Sequence, residues 1–225
     1  MVEIVVTGIN NDLTKVTNTM LTLVRPDVFK LEQAILEHNL RTLFQPVVSL
    51  KTSAVIGFEG LTRGQEGTPF ESPVALLNAA EQNQLSSQLD RNCQRRATSL
   101  FSERNLPGKL FLKVLASSIV EGEVTGIAVT TFLEQLNLKP EQIVLEITES
   151  QPITNFARIK QHLDTLRSLG FQIAIDDLGE AYASLKLWLE LRPDYVKIDK
   201  ALVSSMHQDS YKLQFVRALP IESTH

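Results

Sequence analysis

The chain has 225 residues, 43% of them hydrophobic and 21% charged, with a formal net charge of −4. That length suits one large domain or a domain with an extra segment, and the composition excludes disorder, collagen-like sequence and a disulfide-stapled miniprotein. The 22 basic residues are scattered among 26 acidic ones, leaving no electrostatic footprint for nucleic acid or an anionic membrane, so neither is expected as a partner.

In chain order, residues 1–25 show little amphipathic order and read as an appendage or linker remnant, with residues 26–225 as the domain. The opening MVEIVVTGINND lacks a basic start, and no apolar run reaches the ~18 residues of a membrane span, so neither export nor membrane insertion is expected. Cys93 is the single cysteine, which rules out an intramolecular disulfide and a thiol-rich metal site and fits a reducing cytoplasm. Pro26 and Asp27 suit a helical first turn, and Val28, Leu31, Ala34 and Ile35 follow at helical spacing as far as His38 and Asn39.

Strands are expected over 42–48, 55–61, 110–115, 143–148, 172–176 and 195–198, with helices over 74–83, 89–104, 126–136, 156–169 and 183–191 between them. Gly170 and Pro193 punctuate the last of these, and one further helix is expected over 202–219. Strand alternating with helix signals a parallel α/β sheet, and short apolar strands signal a sheet covered on both faces. A barrel and a doubly wound sheet both fit. The chemistry favours the barrel, because Glu59, Glu146, Asp176, Asp177 and Lys197 all fall late in their strands, where barrel enzymes place their sites.

Carboxylates carried into apolar strands are costly unless paired. Three or four converging on one pocket repel each other unless a cation joins them, and an all-oxygen donor set suits Mg²⁺, Mn²⁺ or Ca²⁺ better than zinc. Asp176 and Asp177 together suit a pair of ions, and Lys197 suits a partner for the acids or a group that orients water. Taken singly, Asp177, Asp194 and Asp199 also fit turn or helix-cap roles, and Lys197 fits a stem packed on the sheet. The four histidines share no ligand-like spacing, and Trp188 fits helix packing.

The phrases FQPVVSL, FEGLTR, VLEITES, AIDDLGEAYASL and VKID occur in this order with helix-length gaps. Together they resemble the EAL-domain family of cyclic di-GMP phosphodiesterases, over roughly Leu31 to the C-terminus. The resemblance implies a TIM-like (β/α) barrel and hydrolysis of one phosphodiester of cyclic di-GMP to linear pGpG, with Mg²⁺ or Mn²⁺ as cofactor. It makes Glu59, Glu146 and Asp176 metal ligands, and gives Asp177 to a second metal and Lys197 to the attacking water. Gln45 and Arg63 would contact the nucleotide, and Glu149 would anchor the loop after the Asp pair.

Departures from that pattern point the other way. Lys113 stands where the family has an asparagine ligand, which predicts either an ammonium substituting for the metal by satisfying Glu59 and Glu146, or a side chain swung into solvent. Glu180 and Ala181 replace a Thr-Gly pair, removing backbone freedom from a loop that must close. No AEGVE-like phrase supplies the family's base glutamate, and no QGY-like phrase follows it. At about 30 residues per β/α unit, the roughly 185 residues left after the leading segment make about six units where a closed barrel needs about 240 residues.

The expectation is therefore a degenerate EAL-type domain lacking the last strand-helix units. It would act through ligand binding or protein contacts, with Mg²⁺ or Mn²⁺ as cofactor only if active, and self-associate or bind a protein partner through open sheet edges. The competing expectations are an active phosphodiesterase completed by a partner or by further residues, and a pure interaction module with a vestigial pocket.

Overall fold

The structure, a computed structural model, describes residues 26–120, 126–147, 155–178, 184–198, 204 and 208–218. The expected appendage, residues 1–25, and the loop anchor Glu149 lie outside the described residues. Helix α1 (Pro26–Ala34) precedes a hairpin of β1 (Arg41–Val48) and β2 (Val55–Arg63). Helices α2 (Pro73–Gln82) and α3 (Ser86–Glu103) lead to β3 (Lys109–Val114), followed by α4 (Ala116–Val120) and α5 (Gly126–Gln135). Strand β4 (Ile143–Ile147), α6 (Phe156–Ser168), β5 (Gln172–Leu178), α7 (Ser184–Leu191), β6 (Tyr195–Ile198) and α8 (Ser210–Ala218) complete the described order.

The strands form one sheet in the order β1-β2-β3-β4-β5-β6. From β2 to β6 every pairing is parallel, but β1 pairs antiparallel with β2, which corrects the expectation of a uniformly parallel sheet. Only residues 49–54 separate the two strands, too few for a crossover, so the chain turns back on itself. Ser49 and Ala54 close the turn by a backbone hydrogen bond of 2.9 Å, with Ser53 at φ 56°.

Helix ends follow local chemistry. Ser72 and Asn155 accept hydrogen bonds from Ala75 N–H at 3.1 Å and Arg158 N–H at 3.0 Å, capping α2 and α6. Past α6, Gly170 takes φ +101° and turns the chain into β5. The helix expected over 202–219 is not continuous: Asp209 is non-helical and its Oδ1 accepts from Tyr211 and Lys212 N–H, which starts α8 at Ser210. The first helix likewise gives way before a separate 3-10 turn at Glu37–Asn39.

Two apolar layers hold the sheet. On its outer face Leu110, Leu112, Leu145, Ile173 and Ile175 pack with Phe101, Leu133, Leu163 and Leu191 of the helices, and Trp188 leans on the same core. Each such side chain contributes about 1.5–3 kcal/mol when fully buried. On the inner face Phe111, Val144 and Ala174 form a smaller layer with Tyr195. A third cluster joins Leu31 of α1 and Ile35 just past its end to Leu76, Ala80 and Leu89, making α1 part of the domain.

The sheet is curled. Strands β2 and β6 are separated by β3, β4 and β5, which in a flat sheet would put them about 19 Å apart at about 4.8 Å per strand. Yet Lys197 on β6 reaches Glu59 on β2 at 2.8 Å, a contact available only if the inner face is concave.

Candidate functional site

Side chains alternate along a strand, so residues two apart share a face. The inner layer of Phe111, Val144, Ala174 and Tyr195 therefore predicts what stands next above it: Lys113 on β3, Glu146 on β4, Asp176 on β5 and Lys197 on β6. Glu59 on β2, two residues past Gly57, joins them. In the sheet register Lys113 lies opposite Glu146 and Glu146 opposite Ala174. A layer of charge thus sits directly on a layer of hydrocarbon.

Glu59, Glu146 and Asp176 are buried, and each offers an oxygen within 4.8 Å of the others. The Lys197 ammonium lies 2.8 Å from Glu59 Oε2, 2.8 Å from Glu146 Oε1 and 2.9 Å from Asp176 Oδ1. It donates an aligned hydrogen bond to Glu59. Its approach to Glu146 is an ion pair off the hydrogen-bonding direction, and neither Glu146 oxygen has a hydrogen-bond partner among the described residues. The Lys113 ammonium lies 2.8 Å from Asp176 Oδ2 and 3.6 Å from Glu59 Oε1. Lys113 thus does not swing into solvent: it meets Glu59 as expected, but takes Asp176 in place of Glu146, which falls to Lys197. The reason is the curl, which brings β5 toward β2 above β3.

These contacts set the protonation of the layer. Burial pushes the Glu146 carboxyl up to about 8, against the pull of Lys197, with Glu59 and Asp176 adding to the rise. Burial also acts to raise Asp176, but Lys197 and Lys113 overcome it and hold that carboxyl below its usual value. For both lysines burial favours the neutral amine, and the facing acids outweigh it and hold the ammonium form. The raised value leaves Glu146 largely protonated near neutral pH.

The donor set itself fits a hard divalent cation: buried carboxylate oxygens converge, and those of Glu146 have hydrogen-bonding capacity to spare. Competing with such an ion are the two lysines, which already meet an oxygen of every acid. Asp177 follows Asp176 in β5, with its side chain outside the described residues. Gln45 is exposed on β1, opposite Glu59 in register. Arg63, at the end of β2, donates to the Thr62 carbonyl at 2.8 Å and lines an open cavity of about 500 Å³ with Arg41 and Leu43. Asp194, read as a turn residue, ties the starts of β5 and β6 together by accepting from Ile173 N–H at 2.8 Å.

Sequence reasoning missed three contributors. Arg41 stands opposite Arg63 in the hairpin register, a relation that follows once the β1–β2 connection is read as a turn. Asp90 and Gln94 of α3 hold the end of β3, accepting from Leu115 N–H at 3.2 Å and donating to the Lys113 carbonyl at 3.3 Å, and no local pattern signals them.

Among the described residues no helix is long and apolar enough to cross a membrane. An uncharacterised protein of Mycobacterium tuberculosis (strain ATCC 25618 / H37Rv) is 32% identical over 195 residues, covering 84% of this chain and 31% of that protein. The cyclic di-GMP phosphodiesterase NbdA of Pseudomonas aeruginosa is 28% identical over 195 residues, with 84% and 25% covered. The chain thus spans under a third of the length of these relatives. The crystal structure of the FimX EAL domain from Pseudomonas aeruginosa bound to c-di-GMP superimposes with a TM-score of 0.72 at 25% identity, over 86% of this chain and 78% of that one. The fold is accordingly the TIM-like barrel type, here as an open six-stranded sheet among the described residues. The EAL domain profile matches residues 29–220, and the chain belongs to the EAL domain family.

Proposed function

We propose that this chain is a cytoplasmic EAL-type cyclic di-GMP signalling domain whose metal-dependent phosphodiesterase activity is weak or lost, and which acts by binding the nucleotide or through protein contacts. The reading rests on one observation: Lys113 lies 2.8 Å from Asp176 and 3.6 Å from Glu59. A unit charge about 4 Å from another contributes about 4 kcal/mol at an effective dielectric of about 20, and twice that against a divalent ion. Lys113 both neutralises two of the three acids and repels the cation they would hold.

A bound Mg²⁺ or Mn²⁺ would supply an activated water and charge stabilisation on the attacking and leaving oxygens. Glu59, Glu146 and Asp176 are the residues that would hold it, with Asp177 serving a second ion. Lys197 keeps its proton and fixes the three carboxylates toward one point. Gln45 and Arg63 are the nucleotide contacts, Arg63 offering a planar fork of donors to phosphate.

The convergence of Glu59, Glu146 and Asp176, with Glu146 short of hydrogen-bond partners, favours a second reading: an active enzyme completed by a partner or by further residues. Incubation with cyclic di-GMP and Mg²⁺ or Mn²⁺, followed by chromatography of the products, separates the two. Absent or stoichiometric conversion is expected, with Lys113→Asn raising divalent-metal affinity at least about tenfold in a calorimetric titration. Multiple turnovers to pGpG by the unaltered protein would overturn the first reading.

A further inference from the structure

The inner face of the β1–β2 hairpin carries a ladder of opposed pairs. Gln45 faces Glu59, Leu43 faces Leu61 and Arg41 faces Arg63. The arginine pair lies four residues past Glu59, about 13 Å along the strand. Two guanidinium groups directly opposite each other destabilise a hairpin unless an anion is shared or one charge is neutralised. Here Glu66 neutralises one, meeting Arg41 Nη1 at 2.6 Å with both side chains open to solvent, 42% and 79% exposed. Arg63 has no carboxylate partner among the described residues; its Nη1 donates to the Thr62 carbonyl.

Both arginines line the same open cavity of about 500 Å³, and Thr68 and Ser72 line it with them. Ser72 caps α2, so the positive end of that helix dipole lies on the same wall. Glu71 also lines the cavity, but its carboxylate is engaged by Gly67 N–H at 3.0 Å. An anion entering this cavity meets a fork of donors from Arg63 and gains a second fork if Arg41 exchanges Glu66 for it.

We infer that Arg41 is a further ligand-binding residue: with Arg63 it clamps one phosphate group of the nucleotide, and Glu66 is the built-in competitor that must release Arg41 for the clamp to close. The inference rests on the nucleotide-binding reading above. It deepens that reading by making affinity depend on an exposed, salt-sensitive ion pair remote from the carboxylate layer. The two residues then carry opposite signs. Removing Arg41 loses a charge-assisted contact, whereas removing the Glu66 carboxylate frees Arg41 before binding.

The test is calorimetric titration of cyclic di-GMP, without added metal, into the unaltered protein and into the R41A, R41K and E66Q variants. The expected result is about a tenfold loss of affinity for R41A, a smaller loss for R41K, and a gain of several-fold for E66Q that shrinks as salt is raised. Unaltered protein that binds while R41A and E66Q bind equally well overturns the inference and leaves the nucleotide reading standing. Unaltered protein that does not bind overturns both. Both side chains of the pair are exposed, so the variants are expected to fold, which thermal melts verify.

Discussion

At the scale of single residues, Lys197 is the keystone of the charged layer. Its ammonium is within 2.9 Å of an oxygen of each of Glu59, Glu146 and Asp176, and its side chain is 20% exposed. Lys197→Met leaves three acids to Lys113 alone, and breaking a buried ion-pair network by removing one partner costs about 3–5 kcal/mol; urea denaturation at pH 8 measures it. Glu146 sets the pH dependence. Its carboxyl sits at about 8 against an ordinary value of 4.5, so between those pH values the folded protein keeps a proton that the unfolded chain releases. Stability therefore falls as pH rises through that window. Asp176 has the opposite sense: its lowered value contributes stability above the ordinary carboxylate range that is lost only in stronger acid. Denaturation profiles in metal-free buffer should slope downward from pH 5 to pH 8 for the unaltered protein and be flatter for Glu146→Gln; equal profiles would refute the assignment. The identities of Glu59, Glu146, Asp176 and Lys197 were legible because strand position fixes the face each side chain takes. The pairing of Lys113 with Asp176 was not, because it depends on how far the sheet curls, a property of all the strands together.

At the scale of elements, the alternation of apolar strands and amphipathic helices was legible to within three residues at most described ends. The failures have local causes. The β1–β2 hairpin was hidden because both strands read as members of a parallel series, although residues 49–54 leave room only for a turn. The helix over 202–219 was read through Asp209, whose side chain instead caps α8. One packing constraint escapes pattern reading altogether. A Cβ placed on Gly57 would lie 2.1 Å from the Lys109 carbonyl oxygen, so β2 and β3 reach their register only with glycine there, directly beneath Glu59. Gly57→Ala must push the strands apart, and overpacking of this kind costs about 1–3 kcal/mol or more. Gly67 is the comparison, with φ +75° but nothing within 4 Å of an added Cβ; alanine there costs about 1–2 kcal/mol in backbone strain. Chemical denaturation should rank Gly57→Ala as the more damaging variant, and the reverse order would remove the close approach as a constraint on the site.

At the scale of the molecule, one curled sheet explains both the site and its exposure. Curling brings β2 and β6 close enough to share Lys197, and it leaves β1 and β6 as the sheet's edges among the described residues. An unpaired edge offers backbone donors and acceptors to another chain. On the β1–β2 hairpin, Leu43, Val48, Leu50 and Val55 are 52%, 52%, 58% and 55% exposed, so exposed apolar side chains accompany the edge backbone. Pro46 lies within β1 and removes one donor, which blunts the edge without closing it. Backbone and apolar surface together favour self-association over a purely monomeric state. Sedimentation equilibrium across a wide concentration range should show a mass above that of the monomer, rising with concentration, and Val48→Lys should shift it toward the monomer by placing charge on the edge. A monomer at every concentration would mean that this edge is silent, and that protein contacts proposed for the domain must use another face.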